Sequence, residues 1–395
     1  MPPALLPDDI VLDLDGSWRR APRFLVKVSC WQSHGRRPII PADILALERM
    51  EAPRGGTLVK TRATNEGPSP VRPKGPAPSP GRVRPPSLGE ILLLPLNDLA
   101  RLDLGFKNLL CATGLPDTMD LDIRACLKEL HAWAQHVKAE TERNLHRFQR
   151  DPGDYENSEA YYRVLMLITV LQQDCGVRYD PDSIKSDLLL DSGEGFIHGL
   201  LQGQGGTCTN MPVLYATVGR KLGYPIYLCL AKGHIFCRWG TRDGRERFNI
   251  EATNLGLNTF PDDHYMEWPK KITPREVRLG FYLRNLDPDE EVGLFMETRG
   301  HCLKDRGHLL DAIVAYAHAH RLGPANPGHF ANLMGALNEE IRLHAKGRLP
   351  NNYREWEDFN KIARPQPALN VLNDIFMRVD KKRPPFRPTR PIQGN

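Results

Sequence analysis

The stretch Gly203-Gln204-Gly205-Gly206-Thr207-Cys208-Thr209-Asn210-Met211-Pro212 decides how the chain reads, because there a glycine-rich loop becomes a helix at a cysteine. Proline lacks a backbone N–H and is tolerated only in the first turn, so Pro212 fixes a helix start at about 208–212. Val213 to Leu222 continue the helix and Gly223 stops it. Cys208 therefore falls at a helix N-terminus, where the positive end of the helix favours a thiolate over a thiol of ordinary pKa, roughly 8.5. A thiol nucleophile needs that bias, and the preceding glycines let backbone and substrate approach closely. A cysteine in this place also suits an ordinary core position, since free cysteines are among the most buried side chains.

Downstream, Ile226 to Trp239 reads as a strand, Asp243-Gly244 as a turn, and Glu246 to Ala252 as the returning strand. If the loop is Thr241–Gly244, Gly240 pairs with Arg245 and His234 stands opposite Glu251. If the turn is the two-residue Asp243-Gly244, the register shifts and Glu251 becomes a diagonal neighbour, still on the face of His234. A three- or five-residue loop would put the two on opposite faces. In a regular strand the same parity sends Cys229 and Cys237 to the face away from His234, which argues against zinc held by those three residues, and no metal or other cofactor is expected. A histidine with a carboxylate across the ladder is the base and its orienter, the two groups that a cysteine nucleophile requires.

These segments resemble the transglutaminase-like superfamily, whose Cys-His-acid site lies on a papain-like fold, and especially its compact bacterial members. The resemblance rests on Gly206-Thr207-Cys208, Met211-Pro212-Val213-Leu214-Tyr215, Gly219 to Pro225, Lys232-Gly233-His234 and Arg247-Phe248-Asn249-Ile250-Glu251-Ala252-Thr253. Tyr155 to Tyr161 resembles the helical region that accompanies this core in the bacterial group. It implies that Cys208 is the nucleophile, His234 its proton partner and Glu251 the acid, where transglutaminases with the usual site carry aspartate. The oxyanion hole of such folds combines the nucleophile's backbone N–H with a side-chain donor; Gln202 is the candidate by position, with Gln204 and Asn210 as rivals. Gly300, Leu303, Gly307, Ala312, Tyr316, Ala319 and Pro324 fall at the spacings of a tetratricopeptide repeat, and Phe330, Leu333 and Leu337 suit the start of another. A plain helix hairpin capping the core would show the same small residues.

The remainder of the 395-residue chain sets this core in context. With 41% hydrophobic and 26% charged residues it has ordinary globular usage, and a net charge of +5 is mild for the length. Residues 54–88 hold seven basic residues, one acidic residue and eight prolines, a composition that reads as a linker. Leu121 to about Arg150 shows helical apolar spacing, and Asn157 or Ser158 can cap a second, mostly apolar helix that stops at Gly176. In the N-terminal part, Phe24–Val28 suits a strand and Pro41–Met50 a helix. The expected organisation is an extension of unknown role over 1–53, the linker over 54–88, a helical subdomain over 89–180 and the transglutaminase-like core over 181–285. Tetratricopeptide-like helices follow over 286–345, then a C-terminal helix and basic tail over 346–395. The fold class is α+β.

The eight cysteines lack the spacing of a disulfide scaffold, the start lacks the features of a secretory signal, and no apolar run approaches a membrane span of roughly 20 residues. A cytoplasmic protein with no membrane partner is expected. The basic segments have no aromatic platform or groove-reading helix, so no nucleic acid is expected either. The expected activity is acyl transfer or hydrolysis at a peptide or protein amide, with a protein partner possible on the C-terminal helices. The alternative is an inactive fold of the same shape serving as a protein-interaction module.

Overall fold

In the computed structural model, the described residues are 10–12, 18–20, 85–182 and 190–344. The chain opens with a small antiparallel ladder, β1 (Ile10–Leu12) on β2 (Trp18–Arg20). The expected strand at Phe24–Val28, the helix at Pro41–Met50 and nearly all of the linker lie outside the described residues, as does the C-terminal tail. Helices α1 (Leu88–Ile91), α2 (Leu96–Leu99), α3 (Leu104–Ala112), α4 (Ile123–Arg150) and α5 (Glu159–Gln173) follow. Asp122 begins α4 by accepting the Arg124 and Ala125 N–H groups. Ser158, one of the two expected caps, begins α5 by accepting from Tyr161 N–H. Both caps satisfy donors that have no partner inside the helix.

Two single-turn helices, α6 (Ser192–Gly195) and α7 (Ile197–Leu201), precede α8 (Met211–Lys221). Strands β3 (Ile226–Ala231), β4 (His234–Gly240) and β5 (Arg247–Ile250) form an antiparallel sheet with β4 central. Then come α9 (Asp262–Glu267), α10 (Pro274–Arg278), α11 (Pro288–Asp305), α12 (Leu309–Leu322) and α13 (Pro327–His344). The class is α+β, and no described helix is long and apolar enough to cross a membrane.

The expected single strand from Ile226 to Trp239 is two strands. Lys232 and Gly233 turn the chain, with Gly233 at φ +86°, a conformation that favours glycine, and Ala231 pairs with His234. The turn changes the parity. Cys229 faces Phe236 across the ladder and so shares the face of His234, contrary to the sequence reading, whereas Cys237 lies on the opposite face as expected.

The two faces bury different clusters. Leu228, Leu230, Ile235, Cys237, Trp239 and Ile250 join a continuous apolar core that runs from Ile91 to Ala336 through α3, α4, α5, α8, α11 and α12. Cys229, Ala231 and Phe236 pack with Tyr265 and Ile272 in a separate, smaller cluster. The helical segment, the sheet and the C-terminal helices thus fold around one main core, and the smaller cluster lies on the side of His234.

A buried charge cluster ties these parts together. Glu291 of α11 takes Lys107 Nζ of α3 at 3.0 Å and Arg220 Nη2 of α8 at 2.6 Å. Lys107 and Glu291 are each 1% exposed. Burial alone would raise the Glu291 carboxyl, but the two cations hold it below its ordinary value. On the other side of α11, Gly300 lies against Tyr316 of α12, so close that a Cβ there would come within 2.4 Å of the ring. The helix pair therefore has the close approach that its small residues suggest.

Two outcomes follow from these contacts. Glu291→Gln leaves Lys107 buried without its anion and is expected to cost about 3–5 kcal/mol in denaturant unfolding, against no more than about 1 kcal/mol for removing an exposed pair such as Lys271–Glu267. Gly300→Ala is expected to destabilise by about 1–3 kcal/mol through overpacking, although alanine is the better helix former; a neutral or raised melting temperature would show that the helices have room to part.

Candidate active site

Helix α8 begins in the way its sequence requires. Met211 N–H donates to Thr207 O at 3.1 Å, so helical hydrogen bonding already closes over Thr207, and Cys208 occupies the entering turn. Thr207 and Asn210 cap that turn: Thr209 N–H donates to Thr207 Oγ1 at 3.1 Å, and Thr207 N–H donates to Asn210 Oδ1 at 2.8 Å. The Asn210 amide also donates to Gly193 O at 2.8 Å. The preceding loop is held against residues 178–180, through Gly206 N–H to Arg178 O and Asp180 N–H to Gly206 O, both at 2.8 Å. A Cβ at Gly206 would strike Met211 at 2.3 Å, so only glycine fits beside the entering turn.

Cys208 is 1% exposed. Its turn is linked to the sheet through Cys237, whose thiol donates to Pro212 O at 3.0 Å from the face of β4 opposite His234. Of the oxyanion candidates, Asn210 is committed to the cap and to Gly193, which removes it as a donor to substrate. The Gln204 side chain lies against Gly193, where an added Cβ would meet its Oε1 at 1.9 Å. Gln202 ends α7 through its backbone N–H, and the residue is exposed.

The ladder pairs Gly240 with Arg247 and Cys237 with Ile250. This is the shifted register expected of a two-residue turn, although the connection is longer: Thr241 N–H still donates to Glu246 O at 3.0 Å, leaving four residues between them. The even number keeps His234 and Glu251 on one face as diagonal neighbours. His234 Nε2 donates to Glu251 Oε2 at 2.9 Å, and both residues are 2% exposed.

Glu251 is saturated with donors. Its Oε1 accepts Thr253 N–H at 2.9 Å and Thr253 Oγ1 at 2.6 Å, and its Oε2 accepts Tyr265 O–H at 3.0 Å beside His234. Burial pushes the carboxyl upward, but the charge and hydrogen bond of His234 and the two bonds from Thr253 overcome it and hold the group at about 2. The same surroundings act in reverse on Tyr265: burial and the adjacent Glu251 keep its phenol protonated well above the ordinary range. Trp268 closes over the imidazole, with ring centroids 4.6 Å apart in an edge-on arrangement.

The structure therefore brings His234 and Glu251 into direct contact, and places Cys208 at the start of the helix that packs on the other face of their sheet. Nothing in the sequence marks Tyr265 or Trp268 as members of this site. Thr253 ends the motif Arg247-Phe248-Asn249-Ile250-Glu251-Ala252-Thr253, and its place two residues after Glu251, able to bond back to it, is the one signal the sequence carries. No family model, curated protein or solved structure matches this chain.

The sign of the pH effect follows from Glu251. Its folded value of about 2 lies below the ordinary 4.5, so its stabilising contribution is complete above 4.5 and is lost as pH falls toward 2. Denaturant midpoints measured across that window should fall, and the fall should be shallower in Glu251→Gln; parallel slopes would mean that Glu251 is not held as an anion.

Proposed function

We propose that the chain is a transglutaminase-like cysteine enzyme with a papain-like core, acting at an amide of a peptide or protein. The single observation that carries this reading is the buried contact of His234 Nε2 with Glu251 Oε2 at 2.9 Å, on a sheet whose packing helix, α8, is entered through the turn that holds Cys208. Because Glu251 occupies Nε2, Nδ1 is the nitrogen that serves the thiol. Cys208 transfers its proton to His234 and attacks the amide carbonyl, forming a C–S bond. The tetrahedral oxyanion is stabilised by the Cys208 backbone N–H and the Gln202 side-chain amide. As the C–N bond breaks, His234 returns the proton to the leaving amine. Water, or a second amine, then attacks the thioester through the same histidine and releases the thiol. Water is the default acceptor. Helices α11 to α13 are the tetratricopeptide-like segment to which a protein partner would bind.

A second reading has one observation in its favour: Cys208 and His234 are 1% and 2% exposed, as they would be in a fold of the same shape that serves only to bind a partner.

Iodoacetamide labelling as a function of pH, with the labelled cysteine identified by peptide mapping, separates the two. The enzyme reading predicts labelling of Cys208 with an apparent pKa well below roughly 8.5. His234→Ala should slow this at neutral pH by roughly thirtyfold, as the thiolate falls to a few per cent, and Glu251→Ala should slow it in the same direction. Cys229 and Cys302, whose thiols burial pushes up to about 12, are the internal controls. A Cys208 that reacts no faster than these, and ignores both substitutions, supports the binding module.

A further inference from the structure

Strand β5 and the short helix α9 meet along one line of polar contacts. Arg247, Asn249 and Glu251 alternate along the chain and so project to one face, while Asp262 and Tyr265 are three apart and share one side of α9. The two sets interlock. The Asp262 carboxylate accepts Arg247 Nη2 at 2.5 Å, Asn249 Nδ2 at 2.8 Å and Arg238 Nη2 at 2.7 Å. Arg238 is itself 3% exposed and gives its other donors to Asn249 Oδ1 at 2.7 Å and Leu283 O at 2.9 Å. One turn further along α9, Tyr265 O–H reaches Glu251 Oε2, the same oxygen that holds His234. The phenol ring lies flat on Phe236, with centroids 3.9 Å apart and planes 8° from parallel, which sets its height above the sheet.

The geometry points to Tyr265 as a positioning residue for the triad, with Asp262 as the anchor that delivers it. The inference rests on the enzyme reading above. A carboxylate joined to its chain by single bonds can rotate, and an imidazole held by one of its oxygens rotates with it. Thr253 fixes Oε1 and Tyr265 fixes Oε2, so the carboxylate plane is held at both ends, and Nδ1 of His234 is aimed in one direction. Asp262 carries out its part away from the triad: its three donors fix the start of α9 against β4 and β5. None of these groups exchanges a proton in the reaction.

The test is the pH profile of Cys208 alkylation in the full-length chain carrying Tyr265→Phe, which keeps the ring on Phe236 and removes only the hydroxyl. Loss of one hydrogen bond of ordinary strength should slow labelling at mildly acidic pH by about fivefold and raise the apparent pKa of Cys208. Asp262→Asn, which removes the anion facing Arg238 and Arg247, should shift the profile in the same direction while the Cys208 turn is untouched. Melting temperatures of both variants are recorded alongside, because a purely structural tyrosine would lower stability and leave the profile in place. Profiles that superimpose on wild type, or that shift to lower pH, overturn the inference while leaving the activated thiol standing. If wild-type Cys208 behaves as an ordinary thiol, the enzyme reading fails and the positioning role fails with it.

Discussion

A carboxylate at 2% exposure cannot remain charged without donors, and the arrangement around Glu251 follows from that constraint. Four donors reach it, and they come from three places in the chain: the first residue of β4, the residue two beyond Glu251, and α9. Each donor is bound to be where it is by something else. His234 starts its strand because Lys232 and Gly233 turn the chain directly before it, and Tyr265 is held by Phe236 beneath it and by Asp262 at the head of its helix. A displaced member would leave a buried charge short of a partner, so the cluster favours a single geometry. That property suits a site in which a histidine must point in one direction.

The same logic operates at a second place, with a different purpose. Glu291 is also buried and ionised, but the groups that hold it are two cationic side chains, Lys107 and Arg220. The three residues come from α11, α3 and α8. They fasten the C-terminal helices and the helical segment to α8, the helix that follows the Cys208 turn. Arg299 adds to this by donating to Cys111 O at 2.9 Å and Thr113 O at 2.7 Å at the end of α3. Helices α11 and α12 are thus built into the main core, which is why their small residues occur where the helices touch each other.

Local chemistry made much of this legible in the sequence. Pro212 and Gly223 bounded α8, Ser158 capped α5, and the alternation of β5 put Glu251 on the face of His234 whichever even-numbered loop was chosen. Cys229 lies on the face of His234 because Lys232-Gly233, a weak turn signal beside Asp243-Gly244, is the tighter reversal of the two. Tyr265 was hidden for a different reason. Its contact with Glu251 crosses a loop and depends on where α9 docks, which is set by Asp262, Arg238 and Asn249 together. Glu291 and Lys107 are 184 residues apart, and no periodicity connects them. Capping and alternation are local rules, whereas burial of a charge against a distant partner appears only when the chain is folded.

The proposed function requires that Glu251 hold His234 so that Cys208 ionises. The most direct measurement is the ultraviolet absorbance of the thiolate, taken as the difference between wild type and Cys208→Ser across a pH titration. A thiolate already present at mildly acidic pH, and lost when His234 is replaced, is the expected result. A difference spectrum that stays flat until the alkaline range of an ordinary thiol would contradict it.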